Sequence, residues 1–301
     1  MRIRIHHTTR YFYPEKVRDS FNEARLQPLD TPVQRCRSFA LKTDPVAALR
    51  DYRDFYRNRV HMFEVAAPHH ALSVVAVSVV ETFDDPRQEG VDPTTDYPIA
   101  AIRPYGGPEN LHDFLQPSRL VEADPEIWRR AIDWSEADDD AYRVACRLNR
   151  QVFERFQYDP GATLVQTTAG GALNQGRGVC QDYAHALIAL CRSLKIPARY
   201  VSGYFLPHGI EELCHAAHEE ASAQASHAWA EVWLPHFGWW GLDPTHGREL
   251  DRHYVKVAVG RDYGDARPLS GSYRGPPARE MEVQVRVTRE PEAPALTSTE
   301  G

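Results

Sequence analysis

The sequence predicts an α+β protein in which an N-terminal β-sandwich-like domain precedes a domain of helices and strands. Three observations support this class. Apolar and polar residues alternate with the two-residue period of strands in the first third of the chain, as in Arg2–Tyr13 and the valine-rich His70–Phe83. Apolar residues then recur at helical spacing over residues 144–194. Strand-like alternation returns after Pro197.

A change in composition marks the predicted domain boundary. Residues 84–108 are rich in proline, glycine and aspartate, the residues that most often interrupt regular structure. We therefore predict an N-terminal β-domain over residues 1–105 and a second domain over residues 106–289. Residues 290–301 (EPEAPALTSTEG) are polar and contain proline, which predicts a disordered tail.

Composition limits the classes of protein and partner. Of the 301 residues, 42% are hydrophobic and 26% are charged, which fits a globular protein with enough apolar material for a core. The net charge of −7, with basic residues spread among acidic ones, argues against a nucleic-acid partner. The longest apolar run, Ala71–Val80, is shorter than the ~20 residues of a membrane helix, so we expect no membrane partner. The five cysteines lack paired spacing and the first residues lack a signal-peptide pattern, which predicts a cytoplasmic protein without a disulfide framework.

The segment Gly176–Leu190 (GRGVCQDYAHALIAL) places Cys180 immediately before a strongly apolar helix. Apolar residues continue on nearly all sides of that helix, which predicts that it is buried on most of its faces. Cys191 lies on the apolar stripe and is interpreted as a packing residue. Cys180 taken alone fits packing better than catalysis, so its role depends on the residues that accompany it.

Three features together favour catalysis over packing at Cys180. The start of a helix offers partial positive charge and free N–H groups, which favour the thiolate form of a cysteine. His227 begins a predicted strand and can activate the thiol, while Asp243 at the end of the next strand can orient the imidazole. Gly176 and Gly178 are small enough to let a substrate carbonyl approach.

Strand register offers an independent test of this triad hypothesis. With a four-residue hairpin loop (PHFG), Ala230 would pair with Asp243, and His227 would point to the opposite face of the sheet. With a five-residue loop over residues 234–238, Trp229 would pair with Asp243, and the histidine and aspartate would share a face. The triad hypothesis therefore predicts the second register, or a bulge with the same effect.

The chain closely resembles the bacterial transglutaminase-like proteins that carry an N-terminal β-domain, in the segments GVCQDYAHALIALCRSLKIPARYVSGY, SHAWAEVWLPHFGWWGLDPTHG and VAVGRDYGDARPLSG. The resemblance covers most of the chain. It implies a papain-like core in which a cysteine-bearing helix packs on an antiparallel sheet. By position, Cys180 is then the nucleophile, His227 the general base and acid, and Asp243 the orienting carboxylate. His246 departs from the family pattern, which more often has asparagine there, and we expect it to affect only the local turn.

The implied chemistry is acyl transfer through a thioester at Cys180, with a peptide or protein as substrate. Hydrolysis of peptide or isopeptide amides is the preferred interpretation, and amine transfer to protein glutamine is the alternative. A non-catalytic binding or scaffold protein that keeps the fold is a further alternative. The Cys180 N–H is a candidate oxyanion donor, Gly178 and Trp229 are expected to line the substrate cleft, and no cofactor is required. The sequence does not indicate an oligomeric state.

Two other clusters are weaker candidates for metal sites. His208, Cys214, His215 and His218 offer zinc ligands, but no second zinc motif accompanies them, and a loop that shapes substrate access is the preferred interpretation. Asp138–Asp140 lacks the ligand spacing of a calcium loop and is interpreted as an acidic helix cap. We therefore predict that the protein has no metal site.

Overall fold

A computed structural model describes residues 1–88, 111–135, 140–207 and 226–290 of the chain. The predicted linker and tail lie almost entirely outside the described residues. The cluster that runs from His208 to His218 lies entirely outside them.

The strands of the first part of the chain are β1 (Arg2–Ala24), β2 (Gln34–Asp44), β3 (Leu49–Arg53), β4 (Arg59–Val65) and β5 (His69–Thr82). The next elements are α1 (Pro125–Ser135), α2 (Ala141–Arg155), β6 (Gln157–Tyr158), α3 (Ala169–Gln175), β7 (Arg177–Gly178), α4 (Cys180–Ser193) and β8 (Ala198–Phe205). They are followed by β9 (Ser226–Leu234), β10 (Gly238–Asp243), β11 (Arg248–Glu249), β12 (Tyr254–Gly260), β13 (Leu269–Arg274) and β14 (Glu280–Arg289).

The N-terminal domain consists of two sub-sheets that share the long strand β1. The first half of β1 pairs antiparallel with β5 and β14, and the second half pairs with β4 and β13. The halves meet at a register shift between Phe12 and Val17, where Pro14 has no N–H to donate to a ladder. Side chains of both sub-sheets, such as Leu41 and Phe63, belong to one hydrophobic core. The predicted β-sandwich-like domain is confirmed.

Strands β13 and β14 belong to the N-terminal sheet, although the division drawn from the sequence placed them in the second domain. β14 pairs with β1 over ten residue pairs that begin at Ile3 with Arg289, and β13 pairs with β1 up to Ala24 with Leu269. The chain therefore leaves the N-terminal sheet, forms the second domain and returns. The alternation of apolar and polar residues in a segment such as MEVQVRVT predicts a strand, but it does not specify which sheet the strand joins.

Helix α4 is the centre of the second domain. It packs against β8 and β9 of an antiparallel sheet with the strand order β11-β10-β9-β8-β12, and α1, α2 and α3 pack around it. Every residue from Asp182 to Arg192 is buried, including Cys191, as the apolar sequence predicts. Each fully buried leucine or isoleucine of the helix, such as Leu187, contributes about 1.5–3 kcal/mol of hydrophobic stabilisation. The predicted arrangement of a cysteine-bearing helix on an antiparallel sheet is confirmed.

The N-terminus of α2 is capped by a carboxylate. Asp140 accepts hydrogen bonds from Tyr142 N and Arg143 N at 3.0 and 3.1 Å, which satisfies two donors of the first helical turn. This confirms the helix-cap interpretation for Asp140, while Asp138 lies outside the described residues. None of the helices in the described ranges has the length and apolar character needed to cross a membrane.

The N-terminal domain covers the free edge of β12 with two amide side chains. Gln34 Nε2 donates to Lys256 O, and Gln34 Oε1 accepts from Lys256 N, both at 2.8 Å. Asn58 Nδ2 donates to Val259 O at 2.7 Å, and Asn58 Oδ1 accepts from Val259 N at 2.8 Å. An edge strand leaves such backbone groups unpaired, and burial without partners would destabilise the fold. These contacts join the sheet of the second domain to the first domain.

Candidate active site

Cys180 is the first residue of α4, where the chain enters the helix from a short parallel strand pair. β6 and β7 align Tyr158 with Gly178, and Val179 follows in an extended conformation as the N-cap residue of α4. The Cys180 side chain is partly exposed, whereas Cys191, later in the same helix, is buried. The helix start therefore presents a single thiol beside the N–H groups of the first turn.

The Asp182 carboxylate fixes the start of α4. Its Oδ2 atom accepts hydrogen bonds from Val179 N at 2.9 Å and from the Thr163 hydroxyl at 2.6 Å. Burial raises the pKa of Asp182, and these hydrogen bonds oppose the rise. A Cβ atom at Gly178 would lie 2.5 Å from Asp182 Oδ2. Gly178 is buried and leaves room for the Asp182 side chain, and its predicted position in the substrate cleft stays a prediction.

The strand register places His227 and Asp243 on one face of the sheet. Trp233 pairs with Trp239, which is the register that the triad hypothesis required. The connection itself comprises residues 235–237, two fewer than predicted, because the residues that flank it also pair with each other. The loop length was wrong, but the register prediction is confirmed.

His227 interacts with both Asp243 and Cys180. His227 Nε2 lies 2.8 Å from Asp243 Oδ2, which leaves Nδ1 as the ring nitrogen available to the Cys180 thiol, and the thiol contributes to the raised pKa of the imidazole. His227 is 6% exposed and Asp243 is 0% exposed, which shields their ion pair from water. Burial lowers the pKa of His227, but the Asp243 charge and the hydrogen bonds to Asp243 and Cys180 outweigh it and raise the pKa to about 10. The imidazole is therefore cationic at neutral pH, and an imidazolium favours the thiolate form of a neighbouring sulfur.

The Asp243 carboxylate is enclosed by hydrogen-bond donors. Oδ2 accepts from His227 Nε2 at 2.8 Å, from His246 Nδ1 at 2.7 Å and from the Tyr254 hydroxyl at 2.8 Å. Oδ1 accepts from Thr245 N at 2.8 Å and His246 N at 3.3 Å. Burial would raise the pKa of Asp243, but the charge of His227 and these bonds outweigh it and hold the pKa well below its usual range. Because an ionised carboxylate only accepts hydrogen bonds, both imidazole nitrogens that face it carry protons.

Two residues of this network were not predicted. His246 was expected to affect only the local turn, and that expectation is wrong, since its ring bonds directly to Asp243. A signal was present, because a side chain three residues after a carboxylate in a tight turn can fold back onto it. Tyr254 had no comparable signal, since β12 reaches Asp243 only through the assembled sheet.

Trp229 lies beside His227 but has no exposed surface. Its ring centroid is 6.2 Å from that of His227 and 5.5 Å from that of Tyr254, and its exposure is 0%. A side chain without accessible surface does not line a cleft. The structure therefore assigns Trp229 to packing behind the triad and corrects the prediction of a cleft position.

One cluster among the described residues has the composition of a metal site. His227, Asp243 and His246 offer ligand atoms within 4.8 Å of one another. Asp243 Oδ2 already accepts from both histidines, so a cation would have to displace a proton from each imidazole. The cluster is therefore organised as a set of proton donors around one carboxylate.

The architecture defines the class of protein: a cysteine-bearing helix packed on an antiparallel sheet that carries histidine and aspartate is a transglutaminase-like fold. The chain belongs to the transglutaminase-like superfamily, whose members are typically enzymes. Residues 129–244 match the transglutaminase-like superfamily core, and residues 3–81 match the bacterial transglutaminase-like N-terminal region. An uncharacterised protein of Mycobacterium leprae is 35% identical over 291 residues, which cover 96% of this chain and 99% of that protein.

Two further comparisons concern a named enzyme and a candidate enzyme. A protein-glutamine gamma-glutamyltransferase of Pseudomonas aeruginosa is 33% identical over 142 residues, which cover 42% of this chain but only 20% of that enzyme. The crystal structure of a candidate cysteine protease from Cytophaga hutchinsonii superimposes with a TM-score of 0.72 at 23% identity. That superposition covers 98% of this chain and 93% of the other, so the two proteins share the whole two-domain fold.

Proposed function

We propose that this protein is a cysteine-dependent enzyme that cleaves amide bonds of peptides or proteins by acyl transfer through a thioester. The observation that supports this most directly is the 2.8 Å hydrogen bond from His227 Nε2 to the buried Asp243 carboxylate, in an imidazole that also interacts with the Cys180 thiol. The ion pair with Asp243 keeps a proton on this imidazole, which is the state that a cysteine nucleophile requires.

In the first half-reaction, the Cys180 thiolate attacks the carbonyl carbon of an amide, and a C–S bond forms. His227 transfers its Nδ1 proton to the amide nitrogen, the C–N bond breaks, and ammonia or an amine leaves. The N–H of Cys180 at the start of α4 is the proposed donor to the oxyanion that forms between these steps. This half ends with a thioester on Cys180 and a neutral His227.

In the second half-reaction, His227 takes a proton from water while the water oxygen adds to the thioester carbon. The C–S bond then breaks, which releases a carboxylic acid and restores the thiolate and imidazolium. The partial exposure of Cys180 is compatible with access of water to the thioester, which hydrolysis requires.

Transfer to a primary amine is the second candidate for this half-reaction. It is favoured by the similarity to the Pseudomonas gamma-glutamyltransferase, although the match spans a fifth of that enzyme. An amine would then take the place of water, and the product would be a new amide.

The two candidates are separated by incubating the protein with a glutamine-containing peptide and a labelled primary amine. Hydrolysis releases ammonia or cleaves the peptide without incorporating label, whereas transfer places the label on the peptide. Cys180→Ser should abolish either reaction. Cys36→Ser is the matched control, because Cys36 lies on β2 of the other domain, and it should retain full activity. Turnover that survives in Cys180→Ser would contradict the proposal.

Selective alkylation tests the nucleophile without a known substrate. Burial raises the pKa of Cys36 to about 11 and that of Cys146 to about 12, so iodoacetamide should label both slowly near neutral pH. Cys180 should react at least about tenfold faster, since an ordinary thiol is only a few per cent thiolate at pH 7. Mass spectrometry of the peptides measures each rate. Equal rates at the three sites would rule out the triad.

A further inference from the structure

The turn that follows β10 folds back onto the triad. Thr245 N and His246 N donate to Asp243 Oδ1, and the side chain of His246 donates from Nδ1 to Oδ2 at 2.7 Å. The turn therefore holds both oxygens of one carboxylate, with main-chain donors on the first and a side-chain donor on the second.

Asp243 Oδ2 is the oxygen that orients His227. Three donors share it, namely His227 Nε2, His246 Nδ1 and the Tyr254 hydroxyl, at 2.8, 2.7 and 2.8 Å. The position of Oδ2 is thus set by His246 and Tyr254 as well as by His227. Because His227 Nε2 is hydrogen-bonded to this oxygen, a displacement of Oδ2 moves the imidazole relative to Cys180.

The His246 ring is itself held in place. Its centroid lies 4.9 Å from that of Phe205 and 5.3 Å from that of His227, and the side chain is 24% exposed. Arg248 also contacts Phe205 and donates to the Tyr254 hydroxyl at 3.1 Å. Among the described residues, the titratable and charged groups around His246 are therefore Asp243, His227, Tyr254 and Arg248.

We propose that His246 is a positioning residue of the acyl-transfer reaction. Together with Tyr254 it holds Asp243 Oδ2 at the point from which the carboxylate directs His227 toward Cys180. This inference rests on the proposed function of the Cys180 site. It assigns to His246 a role that a structural turn residue would not have.

Two substitutions separate the hydrogen bond from the volume of the side chain. His246→Leu keeps apolar contact with Phe205 but removes the donor to Asp243. His246→Asn restores a donor at the same number of bonds from Cα as Nδ1. The exposed His70→Leu on β5 is the control. We expect His246→Leu to lower kcat roughly 10- to 100-fold, since a misplacement of about 1 Å has effects of this size. KM should change little, and His246→Asn should recover most of kcat.

The pH profile distinguishes positioning from loss of structure. The hydrogen bond and charge of His246 lower the pKa of Asp243, so their removal in His246→Leu should shift the acid limb of activity to higher pH. His246→Asn restores the hydrogen bond but not the charge, so its acid limb should lie between those of the wild type and His246→Leu. A His246→Leu protein with wild-type kcat and an unchanged acid limb would overturn the inference. So would a folded His246→Asn protein that is as impaired as His246→Leu.

Alkylation of Cys180 keeps the inference separate from the proposed function. If the wild type showed no turnover on any amide, the proposed function would fail, but the rate of Cys180 labelling by iodoacetamide would still decide the role of His246. Slower labelling in His246→Leu, with recovery in His246→Asn, supports positioning of His227. Equal labelling of wild type and His246→Leu overturns it. Chemical denaturation confirms that each variant is folded.

Discussion

At the scale of single residues, two opposing effects decide the charge of His227. Burial disfavours the cation, whereas Asp243 at 2.8 Å favours it, and the raised pKa of about 10 means that the ion pair prevails. The magnitudes agree with this outcome. Two unit charges 4 Å apart attract by about 4 kcal/mol at an effective dielectric constant of about 20. One pKa unit corresponds to about 1.4 kcal/mol, so the pair can offset the cost of burial.

The raised pKa of His227 predicts where amide cleavage declines in alkaline solution. The imidazole keeps its proton at pH values below its pKa and loses it above, and a neutral His227 cannot protonate the leaving amine. Activity should therefore persist across neutral pH and fall as the pH approaches 10. The measurement is kcat/KM against pH, with intrinsic fluorescence to show that the protein remains folded. A decline centred near the ordinary histidine pKa of about 6.5 would contradict this assignment.

Asp243→Asn provides the matched comparison for the same profile. The substitution removes the charge that raises the pKa of His227 but leaves the ring buried. The alkaline limb should consequently move to lower pH, and the residual activity should be small.

The reacting residues could be predicted from the sequence because each stands at the end of a recognisable element. Cys180 precedes an apolar helix, and His227 and Asp243 mark two strand ends whose register the side-chain alternation restricts. Their supporting residues could not be predicted in the same way. His246 and Tyr254 are defined by bonds to a carboxylate whose surroundings form only after folding.

At the scale of elements, the entry into α4 depends on close packing between a glycine and a carboxylate. Asp182 bonds to Val179 N and Thr163, and Gly178 leaves the space that its side chain occupies. From the sequence, Gly178 was expected to admit substrate. A glycine before a nucleophile can either admit a substrate or make room for a neighbouring side chain, and only the fold shows that Asp182 occupies the space beside Gly178.

We predict that Gly178→Ala destabilises the protein and slows the alkylation of Cys180. The added Cβ would lie 2.5 Å from Asp182 Oδ2 and displace the group that holds the helix start. Overpacking of this kind costs about 1–3 kcal/mol of unfolding free energy. Gly161→Ala is the control, because its Cβ would lie 3.5 Å from its nearest neighbour, Asp159 Oδ1. Denaturation and labelling rates that are the same in both variants would refute this account.

At the scale of the whole molecule, the return of β13 and β14 to the N-terminal sheet could not be predicted from periodicity. Their partners in β1 lie more than two hundred residues earlier in the chain, and alternation identifies a strand without its neighbour. The contact between the first domain and β12 could not be predicted from the sequence for a related reason. Gln34 and Asn58 are ordinary polar residues in sequence, and only the fold places their amides on the edge of a strand.

The edge strand β12 connects the N-terminal domain to the residues around Asp243. β12 contributes Tyr254, a donor to Asp243, and the same strand is held by Gln34 at Lys256 and by Asn58 at Val259. Loss of either amide would leave backbone groups of this strand without those partners, while the pairing of β12 with β8 remains. We therefore predict that the first domain helps to hold the site through β12.

The two amides should differ in their contribution to stability, because the backbone groups they bond differ in burial. Leu29 N also donates to Lys256 O at 3.1 Å, so Gln34→Leu removes the partners of two part-buried groups, the Lys256 N–H and the Leu29 C=O. Asn58→Leu leaves both the N–H and the C=O of Val259 unsatisfied. An unsatisfied buried group costs about 1–3 kcal/mol, so the loss of unfolding free energy should be larger for Asn58→Leu.

Chemical denaturation of both variants, with the exposed Gln284→Leu of β14 as control, measures this difference. If the first domain supports the site through β12, Asn58→Leu should also slow Cys180 labelling more than Gln34→Leu does. Destabilisation without any change in labelling would mean that the domain protects the sheet edge but leaves the triad unaffected. If Gln34→Leu and Asn58→Leu were both as stable as Gln284→Leu, the hydrogen bonds of Gln34 and Asn58 to β12 would contribute nothing to the free energy of unfolding.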